Sequence, residues 1–236
     1  MQGDVPALSV LYSDEHLIAV NKPNGLLVHK TKIANDATEF ALQIVRNQTK
    51  RQVYPVHRLD RGTSGVLLFT FSPQTHAQLS SDFENRKVEK SYLAVVRGFT
   101  DDVGRIDHAL RKDMYSPRQE AVTEYKRLDT IELPNPVGKY ATARYSLVKV
   151  HPLTGRMHQI RKHFNHINHP VIGDLPHGDY RHNHFFRDEF NCPFLLLHSH
   201  QLQFTHPVTQ TLITVDAPLL EPMSNILLRF GWVFDV

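Results

Sequence analysis

The sequence predicts a mixed α/β fold of the α+β type, with a large, mainly antiparallel sheet and flanking helices. Three observations predict it. Strand-like runs outnumber helical ones along the 236 residues. Many of these runs follow one another over short links, which suits antiparallel neighbours and not the long crossovers of a doubly wound parallel sheet. The composition, 41% hydrophobic and 22% charged, supplies a core for one large domain or two small subdomains.

The elements follow in order. Residues 8–12 and 17–21 read as short strands around the turn Ser13-Asp14-Glu15-His16. Asp36 is placed to cap a helix in which Phe40, Ile44 and Val45 recur at helical spacing. Residues 54–56 lead into a loop, and 65–71 form an apolar run expected to be a buried strand. Ser72 and Pro73 supply an N-cap and a first helical position for a helix to about Arg86, with Ala77, Leu79 and Phe83 apolar. Residues 88–97 alternate as a strand. Further strands are expected at 121–127, 143–150, 194–204 and 211–215, and a loop at 129–140, which carries Pro134, Pro136 and Gly138. Met157, Ile160, Phe164 and Ile167 make an apolar helical stripe at spacings of three and four. A last helix over 221–230 ends at Gly231.

No apolar run is long enough to span a bilayer and no signal-peptide pattern opens the sequence, so no membrane contact is expected. Cys192 is the single cysteine. It makes no intrachain disulfide and leaves no paired-cysteine metal site, so the expected location is cytoplasmic. Beside Pro193 and an apolar run it reads as a small buried hydrophobe. The net charge of +3 is mildly basic, and there are sixteen histidines. Basic residues bunch at 156–169 and 177–187, as a phosphate-binding rim would require. His163, His166, His169, His177, His182 and His184 belong to these bunches. They read as a surface facing nucleic acid rather than as zinc ligands, since no cysteine joins them.

The chemistry points to His57-Arg58-Leu59-Asp60-Arg61-Gly62-Thr63-Ser64-Gly65. Asp60 stands between two arginines and just before a turn, with a strand beginning at once. Nearby cations favour the charged carboxylate, and a tight loop presents it, as a nucleophile or base requires. Tyr92 alternates with Lys90 and Ala94, so these three share a strand face. Its ring suits stacking and its hydroxyl suits proton transfer. Arg161 follows Ile160 of the helical stripe, about 100° round the axis. It is therefore expected at the stripe's edge, projecting toward a cleft.

These segments carry a resemblance. Residues 57–65 resemble the catalytic motif of the RluA-type pseudouridine synthases, which detach the base of a uridine in RNA and rejoin it through carbon. Asn21-Lys22-Pro23-Asn24-Gly25-Leu26-Leu27-Val28-His29 resembles the family's first motif. Glu89-Lys90-Ser91-Tyr92-Leu93-Ala94-Val95 resembles its tyrosine motif, and Gly155-Arg156-Met157-His158-Gln159-Ile160-Arg161 its third. Leu197-His198-Ser199 and Phe204-Thr205-His206-Pro207 resemble its C-terminal strands. Four ordered motifs are far more specific than any one of them. Met157 departs from the family, which usually has a small polar residue there.

The resemblance implies a bent, mainly antiparallel sheet in two halves around a cleft, forming one catalytic domain. The first motif begins near residue 20, so no separate N-terminal RNA-binding module is expected. It implies Asp60 as nucleophile, attacking base or sugar carbon or stabilising a sugar cation; the sequence leaves all three open. Arg161 is implied as the partner of that carboxylate, Ile160 as a contact to the target base, and Tyr92 as the stacking ring and proton acceptor. Arg58 is implied to fill the space left when the uridine leaves its stack, or else only to neutralise Asp60 beside Arg61. His57 is expected at the substrate or as an anchor of the loop. No cofactor, metal or obligatory protein partner is implied, and a monomer is expected. Ile172-Gly173-Asp174, residues 177–183 and Phe230-Gly231-Trp232 resemble members acting on tRNA, with uridine 65 favoured and ribosomal RNA the alternative. A non-catalytic RNA-binding protein would have lost Asp60, and a metal-dependent nuclease would cluster acids. The sequence shows neither feature.

Overall fold

The computed structural model describes residues 7–29 and 39–233. The chain divides into two compact units, one of Met1–Glu89 with Ser199–Pro218, the other of Lys90–His198 with Leu219–Val236. The expected fold class is found: strands dominate, their pairing is mainly antiparallel, and helices are few.

In the first unit β1 (Ser9–Ser13) pairs antiparallel with β2 (Leu17–Lys22), and β2 with β4 (Ser64–Thr70). The short β3 (Tyr54–Pro55) also pairs with β4. The end of β9 (Leu197–Thr205) pairs with β10 (Leu212–Asp216). Every residue of β2 and β4 is buried. Leu17, Ala19, Val66 and Leu68 alternate onto one face and meet Leu79 of α2 (Pro73–Glu84). Helix α2 starts as its sequence dictates: Ser72 Oγ accepts from Thr75 N at 3.2 Å, with Pro73 as the first helical residue. Helix α1 (Ala41–Thr49) buries Ile44 and Val45, and its N-cap position is Phe40. The expected cap Asp36 lies outside the described residues.

In the second unit β5 (Glu89–Arg97), β6 (Val103–Asp107), β7 (Val122–Leu133) and β8 (Ala143–Pro152) are joined antiparallel through β5–β8, β8–β7 and β7–β6. One sheet face carries Ala94, Val96, Tyr125, Val148 and Val150 under α3 (Gln159–His166). The other carries Leu93, Val95, Tyr145 and Leu147, with Phe186 of α4 (Tyr180–Phe190) and Ile226 and Leu227 of α5 (Glu221–Phe230). Cys192 is buried in this second cluster as expected. Gly231 ends α5 in the left-handed conformation.

Three expectations need correction. The loop expected at 129–140 begins late, because β7 runs on to Leu133. A bulge between Arg127 and Asp129 places two residues opposite one and reverses the alternation. Tyr125 faces the first cluster, whereas Ile131 and Leu133 face the second. A strict period of two breaks at that point, so the sequence reads as a stop. The apolar stripe is also shorter than expected. His158 takes a left-handed conformation (φ 55°) and α3 begins only at Gln159, leaving Met157 exposed. The strand expected from 194 begins at Leu197. Before it, Leu196 N donates to Ile172 O at 2.9 Å, outside the ladder.

Candidate active site

The candidate residues fall into two groups, one in each unit. In the first unit Asp60 is half-buried on the turn that leads into β4, and Thr63 N donates to Asp60 O at 3.1 Å. The loop after β2 grips that turn. Gly25 N donates to Arg61 O at 2.8 Å, while Arg61 Nε donates back to Gly25 O at 3.0 Å. Asn24 Nδ2 donates to Gly62 O at 2.5 Å. Below them Lys22, at the end of β2, is 0% exposed. Its ammonium donates to Pro23 O and Leu26 O, each at 2.8 Å, and to Arg61 O at 3.3 Å. Burial brings the Lys22 pKa down to about 7, and the Asp60 carboxylate acts in the opposite direction. Three carbonyl acceptors use all three ammonium donors, which favours the charged form.

His57 anchors the same loop. Leu68 N donates to its Nε2 at 3.2 Å, and its ring stacks on Phe83 with centroids 4.9 Å apart. Of the two readings for His57, this geometry matches the anchor. Arg58 is exposed. Gly65, the second residue of β4, has φ +107°, and a Cβ there would stand 2.1 Å from Ser199 O. Only glycine allows the strand to leave the turn this close to β9.

In the second unit Tyr92 lies opposite Val150 and is half-buried against the cluster that contains Ala94 and Ile160. The expected sharing of a face by Tyr92 and Ala94 is therefore found, and Ile160 joins them. The Arg161 guanidinium is buried, and Nε and Nη2 each meet a different oxygen of Asp174 at 2.7 Å. The side chains of Arg161 and Asp174 are 8% and 1% exposed. A two-pronged contact of this kind fixes the plane of the guanidinium. Asp174 is itself held: its Oδ1 accepts from His177 N at 3.1 Å, and its carbonyl accepts from Asn183 Nδ2 at 2.9 Å.

Residues 16–166 match the family described as RNA pseudouridylate synthase. The chain belongs to that family. Its members are isomerases that form pseudouridine in RNA. The tRNA pseudouridine synthase C of Haemophilus ducreyi is 45% identical over 236 residues, which cover 96% of this chain and 97% of that protein. The tRNA pseudouridine synthase C of Pectobacterium carotovorum is 44% identical over 95% of this chain, which spans 62% of that protein's length. The solved structure of human RNA Pseudouridylate Synthase Domain Containing 1 has the same fold. It superimposes with a TM-score of 0.73 at 24% identity, over 94% of this chain and 89% of the other.

Three residues of this pseudouridine synthase have positions that sequence reasoning did not assign. Lys22 and Asp174 stood inside quoted motifs, but their partners are distant in sequence or are backbone atoms. Gln159 is the third. Its Oε1 accepts from Thr154 Oγ1 (2.7 Å) and Arg156 N (3.0 Å), and its Nε2 donates to Val122 O (2.9 Å) and Thr123 Oγ1 (3.0 Å). A buried amide with four such bonds fixes the start of α3, one residue before Ile160. The histidines also require a correction. His163 and His182 are buried, not RNA-facing. His163 lies between Thr123 Oγ1 and His108 O, each at 2.9 Å, and His182 meets Tyr145 Oη at 2.9 Å. Burial holds both pKa values below the usual histidine value, and that of His177 also. His166, by contrast, is exposed and stacks on His108 with centroids 3.7 Å apart.

Proposed function

We propose that this synthase isomerises a uridine of tRNA, with uridine 65 as the target, acting in the cytoplasm as a monomer. The observation that carries the reading is the Asp60 turn. Its carboxylate is half-exposed, and the side-chain amide of Asn24, the backbone N–H of Gly25 and a buried ammonium hold the turn around it. The relatives named tRNA pseudouridine synthase C support tRNA as the RNA. The segments 172–174, 177–183 and 230–232 support the same choice.

The reaction breaks the bond from the sugar carbon C1′ to N1, and forms one from C1′ to C5. The proton on C5 must leave, and N1 must gain one, so the product is an isomer and no redox partner is needed. Asp60 supplies the carboxylate that assists detachment of the base. Arg161, with its plane fixed by Asp174, stabilises the anionic charge that accompanies this step. Tyr92 stacks on the freed uracil and removes the C5 proton. Arg58, exposed on the same loop as Asp60, enters the stack that the uridine leaves, offsetting an extrusion cost of a few kcal/mol.

The test is conversion of unmodified tRNA, with the modified position mapped and EDTA present in a parallel reaction. Pseudouridine at position 65 in both reactions is the expected result. Conversion only in ribosomal RNA would move the substrate assignment. Loss of conversion with EDTA, on tRNA refolded beforehand, would contradict a mechanism carried by side chains alone.

A further inference from the structure

We infer that the second unit carries a pocket for the phosphate backbone of the RNA substrate, separate from the residues assigned to chemistry. The inference rests on the reading of RNA as substrate. The pocket has a volume of about 600 Å³ and lies among the end of β5, residues 137–142, the turn after α3 and the start of α4. Arg97 is one of its walls and stands five residues along β5 from Tyr92, a span of about 16 Å at strand rise.

The charges in this pocket are unbalanced. Arg97, Lys139, Arg144 and Arg181 line it, with Asp179 as the lining carboxylate. Asp179 is already engaged: it pairs with Arg97, and its Oδ1 accepts from Arg181 N at 2.9 Å. Arg97 also donates to Asn168 O at 3.0 Å. Arg144 is drawn to Glu132 at 3.1 Å. His182 is turned inward onto Tyr145. Lys139 and Arg181 are exposed, and among the described residues neither meets a carboxylate. Two cations without counter-ions facing one concave space suit a phosphate, and exposed cations along a chain of phosphates gain from counterion release. Tyr140 stands on the rim, 63% exposed, with Lys139 Nζ 5.2 Å from its ring centroid. An exposed aromatic face beside a phosphate-binding cation is the arrangement on which an unpaired base stacks. That combination favours a nucleic-acid strand over a free anion.

The experiment compares the full chain with a Lys139→Gln/Arg181→Gln double variant, an Arg181→Glu variant and a Lys50→Gln/Lys87→Gln control. Binding to tRNA is measured from about 50 to 300 mM salt, with melting temperatures recorded to confirm folding. The expected result is about a tenfold loss of affinity in the double variant at ~0.1 M salt. The log–log salt slope should become shallower by about 1 to 2, and the control should leave it unchanged. Arg181→Glu should weaken binding further than removal of the charge does. An unchanged slope in both pocket variants would overturn the inference, and so would an equal loss in the control. If the wild-type protein forms no pseudouridine, the isomerase reading falls, yet the salt slopes still decide the pocket. Titration with inorganic phosphate alone provides the remaining arm. A phosphate site lost in the variants while their RNA slope stays at the wild-type value means a free-anion site, and overturns the inference.

Discussion

In the first unit a carboxylate is offered on a half-exposed turn, and a buried cation grips that turn through backbone oxygens. In the second unit a cation is itself buried, and a carboxylate thirteen residues away grips it directly. The two arrangements divide chemistry from stability differently. The backbone bonds around Asp60 do not depend on its side chain, so a change there should remove reactivity and spare the fold. Arg161 and Asp174 hold opposite charges away from water, so a change in either should cost stability as well as activity.

The largest expected effect is on rate. Asp60→Asn should lower single-turnover conversion by about 10³-fold or more, with a melting temperature within about 2 °C of wild type. A large loss of stability would mean that the carboxylate also builds the turn, and the contrast between the units would fail. Next is Asp174→Asn, which removes the charge facing Arg161. Urea unfolding should show a loss of about 3 to 5 kcal/mol. A loss below about 1 kcal/mol would show that the pair is not what holds the arginine. Lys22→Met leaves the carbonyls of Pro23, Leu26 and Arg61 without this donor and should cost about 1 to 3 kcal/mol.

A smaller effect concerns pH. His163, His177 and His182 have folded pKa values below the unfolded value of 6.5, chiefly through burial. The unfolded chain therefore binds their protons first as pH falls. Their contribution is complete above about pH 6.5 and is lost as pH drops toward the folded values. Urea midpoints measured from pH 7.5 to pH 5 should fall, and His163→Gln should flatten the fall. A rise in stability on acidification would reverse the sign of this account. The smallest effect is at Ser72, where Ser72→Ala should cost about 1 kcal/mol by removing the cap of α2.

What the sequence made legible follows from distance along the chain. Ser72 and Pro73 cap a helix within one turn of themselves, and Gly231 ends one, so both were readable. The alternation of Tyr92 and Ala94 needed only a strand. Features built from distant partners were not readable in this way. Asp174 meets Arg161 only because the segment after α3 folds back. Lys22 meets backbone oxygens, which no side-chain pattern records. The bulge at Arg127 hid the second half of β7, and the short, half-exposed β6 gave no clear alternation. Helix α4 was masked by its own composition. Histidines and phenylalanines are poor helix formers, and its cap Asp179 stood within a stretch read for charge. His163 and His182 looked like surface groups because their hydrogen-bond partners, His108 O and Tyr145 Oη, come from elsewhere in the unit.

The most direct test of the central claim, that the Asp60 carboxylate drives uridine isomerisation, is a side-by-side single-turnover measurement. Unmodified tRNA at saturating enzyme is mixed with wild-type protein or with Asp60→Asn, and both tRNA affinity and pseudouridine formation are followed. The account predicts equal affinity for the two proteins, with complete conversion by the wild type and none detectable by the variant. Conversion by the variant at a rate near that of the wild type would contradict it.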